Sequence, residues 1–247
     1  LASLSPTQIS RLTAGQAANL TTDQIAALTT AQVRALTATH LRAMNADQIG
    51  AFETQDISLL SNGAIAAITS AAISGLKTEQ VASLTGSQVG AINAAAVPGL
   101  SATQIAALSP NQTRQLTSLQ LRNFSEDQLV AIETADFAAI GPTQLSALTT
   151  AQASVITTDQ IVALTRAQTM ALKTTQLQVF SGAQIAALET SDFQALSALQ
   201  LSALSNEQLG ALKTEQVAAF SAAQLASLTA NQIASFSADQ IVAIETR

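Results

Sequence analysis

Three pairs of carboxylates at a spacing of three residues are the groups in this chain best placed to do chemistry: Glu53/Asp56 in "ETQD", Glu133/Asp136 in "ETAD" and Glu189/Asp192 in "ETSD". Two carboxyl groups about one helical turn apart could hold a hard cation or divide general-acid and general-base work. Calcium, however, prefers roughly six to eight oxygen ligands, and a lone pair of carboxylates supplies few of them. His40, in "LTATHLRA", is the only histidine, and no second ligand or nucleophile is identifiable beside it. The absence of Cys removes thiol chemistry, disulfides and Cys-based zinc sites. Ser and Thr abound, but one His cannot serve a nucleophile–base–orienter set, and there is no glycine-rich phosphate loop. The sequence therefore assigns no catalytic, cofactor-binding or metal residue and argues against an enzyme. The carboxylate pairs read as variant helix caps on a solvated rim, and His40 as a tolerated substitute.

Composition narrows the field further. Apolar residues make up 48% and charged residues 11%, which is too apolar for a disordered polar tail. A net charge of −6 opposes a phosphate-binding surface, so nucleic acid is not an expected partner. No uninterrupted apolar run approaches the roughly 18 residues of a membrane helix.

What must position any of these side chains is a repeat of eight. From Leu4 to Ile244 every eighth residue is large and apolar, giving thirty octads in one register over residues 1–247. Numbered from that residue, slot 2 is Ser or Thr in 21 of 30 units and slot 5 is Gln in 23 of 30. Slot 6 is usually Ile, Leu or Val, and slot 8 is usually small. A continuous α-helix would rotate this pattern by about 80° per repeat, so the helix must break once per octad.

The slots say where it restarts. Ser/Thr-x-x-Gln over slots 2 to 5 is a capping box, and the apolar slots 1 and 6 then stand at the two positions of a hydrophobic staple. Pro6, Pro110 and Pro142 fall in slot 3, the first helical position, where proline fits best. All sixteen acidic residues lie in slots 2–5, while Arg11, Arg34, Arg42, Arg114 and Arg122 lie in slots 7–8, as the helix dipole favours. Helices this short are unstable alone. They persist only by packing slots 1 and 6 against neighbours, which is the logic of a solenoid.

The expected fold is all-α, a superhelix of very short helices, one per octad. The rival is a β-solenoid with a ladder of Gln amides; abundant Ala, few Gly and the capping register oppose it. Both chain ends fall inside an octad without changing character, so a segment of a longer array is expected. Residues 60–99 are irregular: Gln gives way to Ala64, Ala72 and Ala96, five glycines gather, and Pro98 sits in slot 7. A local bend or looser packing is expected there.

The tandem "LTTDQIAALTTAQVRAL" at residues 20–36 resembles the Leu-Ser/Thr-x-x-Gln-Ile/Val/Leu-x-Ala octapeptide arrays of very large bacterial secreted or surface proteins, which are adhesin-like. The resemblance spans the chain and transfers no functional residue. It implies a non-enzymatic spacer, stalk or scaffold at the cell surface or outside the cell. The alternative is a module that binds a protein, peptide, glycan or another copy of itself on the solenoid surface.

Overall fold

A computed structural model describes residues 3–245. Among them the chain forms twenty-nine α-helices and one 3-10 helix, and no strand, so the β-solenoid alternative is set aside. Each α-helix begins at slot 3 of its octad, where the capping register places it. In Thr22–Ala26, Thr21 Oγ1 accepts the Gln24 N–H at 3.2 Å and Gln24 Oε1 accepts the Thr21 N–H at 3.0 Å. The three slot-3 prolines each open a helix, at Pro6–Ser10, Pro110–Thr113 and Pro142–Leu145.

Helices stop because the next slot-1 residue returns to extended backbone. Met44 (φ −78°, ψ 147°) and Leu84 (φ −59°, ψ 142°) end their helices this way. Among the described residues none has positive φ, so the chain leaves each helix without the left-handed glycine that commonly ends one.

The chain divides into two compact units, Leu1–Ile132 and Glu133–Arg247. Within each, a helix packs on the one three octads later. In the first unit Ala14–Ala18 lies on Ala38–Ala43, which lies on Asn62–Ala66, which lies on Gly86–Ala91. In the second, Pro142–Leu145 lies on Arg166–Ala171, which lies on Thr190–Phe193, which lies on Thr214–Ala218. Each unit is thus a solenoid with three helices per turn.

Slots 1 and 6 build the core of each unit. Ile9, Leu41, Ile49 and Ile57 are completely buried in the first, as are Phe137, Leu145, Leu177 and Phe193 in the second. Burying such a side chain is worth about 1.5–3 kcal/mol, enough over many repeats to hold helices too short to survive alone. In the second unit Phe193 and Phe220 stack at 5.4 Å between ring centroids.

The irregular segment keeps most of its helices. Asn62–Ala66 and Ser70–Ile73 form without their Gln, the Ser61 and Thr69 hydroxyls capping them alone. Pro98 lies in a 3-10 helix, Val97–Gly99, which replaces the α-helix of that octad. The packing is not uniformly looser. A Cβ on Gly75 would stand 1.9 Å from the Ala46 oxygen, and one on Gly99 would stand 2.0 Å from the Ser70 oxygen. These two glycines let successive turns touch backbone to backbone.

Candidate functional site

The position that joins one turn to the next is slot 5. The slot-1 residue lies between helices, so its carbonyl has no partner in any helical ladder, and the last carbonyls of each short helix are also unmatched. Buried carbonyls need donors. Each slot-5 Gln in the interior of a unit supplies one. While Oε1 holds the N-cap of its own helix, Nε2 crosses to the slot-1 carbonyl twenty-eight residues earlier.

In the first unit Gln48 Nε2 donates to Leu20 O at 2.7 Å and approaches Ala18 O at 3.1 Å. Gln88 reaches Leu60 O at 2.8 Å, and Gln120 reaches Ile92 O at 2.7 Å and Val89 O at 2.8 Å. In the second unit Gln168 reaches Ile140 O at 2.7 Å, Gln208 reaches Phe180 O at 2.6 Å and Gln240 reaches Leu212 O at 2.7 Å. These carboxamides are buried, Gln80 and Gln216 completely. One side chain therefore satisfies the start of its own helix and the end of a helix in the turn before.

The capping box predicts the first of these bonds and is silent on the second. A signal for it was present: a capping box accepts Glu as readily as Gln, yet slot 5 is never Glu in thirty octads. Glu could accept the cap N–H but, ionised, could not donate.

His40 occupies slot 5 and is 1% exposed. Its Nδ1 accepts the Thr37 N–H at 3.2 Å, which places the ring proton on Nε2, 2.8 Å from Leu12 O. The imidazole reproduces both functions of the carboxamide. It is a substitute, as expected, and a functionally complete one.

The carboxylate pairs do not lie together on a rim. Glu53, Glu133 and Glu189 are exposed, whereas Asp56, Asp136 and Asp192 are buried at 6%, 5% and 8% exposure. The reason is positional: Asp stands in slot 5, on the seam between turns. Burial first, and then the neighbouring Glu, raise each Asp carboxyl above its usual range. Arg166 partly offsets this at Asp192. Lys77 and Lys213 stand twenty-four residues after Glu53 and Glu189, the equivalent position one turn on, and both are exposed.

Where slot 5 is Ala96, a cleft of about 210 Å³ opens in the first unit, lined in part by Arg42, Ile68, Thr69, Ser70 and Asn93. Among the described residues no three of His, Cys, Asp or Glu are grouped to hold a metal ion. No helix among them is long and apolar enough to cross a membrane.

The sequence matches a family model described as the ALTTAQ repeat at residues 25–54, 49–86, 129–166 and 185–222. The matched segments together cover more than half of the chain. No curated protein matches it. Its octads, their capping boxes and the glutamine seam recur inside and outside the matched segments alike, and the chain belongs to the ALTTAQ repeat family.

Proposed function

We propose that this chain is a non-enzymatic structural array, a spacer, stalk or scaffold whose length is set by the number of turns. The observation that supports this most directly is the glutamine seam. Most turns are joined to their predecessors by the same bonds, the turn of Asp56, Ala64 and Ala72 excepted, so stability is spread over neighbours and not gathered at one centre. The exposed slots carry mainly Ala, Thr, Ser, Asp and Asn and no aromatic residue, one of the side-chain types that dominate recognition surfaces. The resemblance to surface and secreted arrays supports, as part of this proposal, a host protein at a bacterial cell surface or outside the cell.

The test is deletion by whole turns. Removing residues 101–124 takes out three helices and should leave helicity per residue and thermal midpoint nearly unchanged. Collapse of the fold after such a deletion would defeat the spacer reading. A second reading, a binding module, is favoured by the cleft beside Ala96, whose Arg42, Ser70 and Asn93 offer polar groups to a protein or glycan. Under that reading an Arg42→Ala variant loses binding on a glycan or peptide array while keeping its stability. Under the spacer reading neither protein is retained.

A further inference from the structure

We propose that Asn62 is a self-modification site: it loses ammonia to the backbone nitrogen of Gly63 and becomes aspartate or isoaspartate, at a rate set by the opening of its own turn. Asn62-Gly63 is the only Asn-Gly pair among the eight asparagines of the chain. Both residues are exposed. Neither the Asn62 side chain nor the Gly63 N–H makes a hydrogen bond with the described residues. A Cβ built on Gly63 would meet nothing nearer than Ser61 Oγ at 4.0 Å, so the attacking nitrogen is uncrowded.

The reaction needs only the chain and water. The Gly63 nitrogen gives up its proton and bonds to Asn62 Cγ; the Cγ–Nδ2 bond breaks and ammonia leaves, closing a five-membered imide. Water then opens the imide at Cγ, giving aspartate, or at the Asn62 main-chain carbonyl carbon, giving isoaspartate with one more carbon in the backbone. Glycine favours the attack because it has no side chain to obstruct it. The ring cannot close at helical ψ, and Asn62 is the first residue of Asn62–Ala66, so that turn must open first. It is held by fewer bonds than most. With Ala64 in slot 5, Ser61 Oγ accepts the Ala64 N–H at 3.2 Å, but no side chain returns a bond to the Ser61 N–H. Leu36 O, twenty-eight residues before Ala64, receives no hydrogen bond from the described residues. Isoaspartate at position 62 would displace the rest of the octad from its cap, so the modification loosens the turn that permits it.

The second unit supplies an internal control at the same slot. Asn206 opens Asn206–Gly210 and is also exposed. The residue after it is Glu207, and its capping box is complete: Gln208 Oε1 accepts the Ser205 N–H at 2.8 Å while Nε2 donates to Phe180 O at 2.6 Å. Neither the neighbour nor the turn favours the reaction there.

The experiment incubates the whole chain at neutral and at mildly alkaline pH, folded and in urea, and follows every asparagine by peptide mass spectrometry that separates aspartate from isoaspartate. Asn62 should convert severalfold faster than Asn206, faster again at the higher pH, and to both products. G63A, whose added methyl has open space, should fold and slow conversion at Asn62 at least severalfold. Urea should speed conversion in the native chain by removing the turn that must open. A64Q should slow it in the folded chain and match the native chain in urea. Conversion at Asn62 no faster than at Asn206, or unchanged in G63A, would overturn the modification site. A native-chain rate that urea leaves unchanged would overturn its control by the turn.

Discussion

The Nε2 atom of His40 stands 2.8 Å from the carbonyl oxygen of Leu12, while Nδ1 of the same ring holds the Thr37 N–H. That pair of contacts defines what slot 5 demands: an acceptor towards its own helix start and a donor towards the turn before. Residue types that offer both fit, and types that offer only one leave a buried backbone group unmatched.

Replacing His40 with Gln should therefore be close to neutral, because the carboxamide restores the same two bonds. His40→Ala should lose about 1–3 kcal/mol, the range for leaving buried polar groups unsatisfied. Urea unfolding of the two variants measures the difference. Equal losses in both would mean that the ring contributes by packing alone.

Gln120→Glu tests the donor separately from the acceptor. Gln120 Oε1 accepts the Thr117 N–H at 2.7 Å, and a Glu there keeps that bond but turns an oxygen towards Ile92 O. At neutral pH the buried, unpaired charge should cost at least about 3 kcal/mol. The introduced carboxyl would be harder to ionise in the folded chain than in the unfolded one. The penalty is thus present above its folded pKa and relieved as pH falls and the protonated group regains a donor. Unfolding curves at acid and neutral pH should show the variant recovering towards the native chain on acidification.

Glycine should matter where turns touch and not elsewhere. Gly75→Ala puts a Cβ 1.9 Å from the Ala46 oxygen, so the turns must separate and stability must fall. Gly15, in Ala14–Ala18, has nothing within 4 Å of its added Cβ. Gly15→Ala should gain up to about 1 kcal/mol from helix propensity. Thermal midpoints moving in opposite directions are the expected result; movement together would show that the close approach at Gly75 yields easily.

Ala96→Gln should fill the cleft beside Arg42 and offer a donor to Ile68 O, raising stability by about 1 kcal/mol. Amide exchange of residues 92–99 would slow in step. A loss of stability would show instead that the 3-10 helix Val97–Gly99 holds position 96 out of the seam.

Much of this protein was legible in its octads because the information is local. A helix start depends on residues within one repeat, so Thr21, Gln24 and the staple pair Leu20 and Ile25 announce it without reference to anything distant. Burial follows from the same spacing. The irregular segment was also visible, but its consequence was not: Gly75 and Gly99 bring turns closer, and that depends on what lies opposite them.

The sequence by itself determined the period, the all-α class, the place where each helix begins and the slots that face the core. Tertiary structure alone decided that three octads make a turn. An eight-residue pattern reads the same whether three or four helices close a turn, because every octad offers the same apolar and polar slots to whichever neighbour it meets. That choice is recorded in contacts between residues twenty-eight apart, such as Gln48 to Leu20. It also decided that Asp56 is a buried group on a seam and not a charge on a rim, since burial there is conferred by the turn that stacks against it.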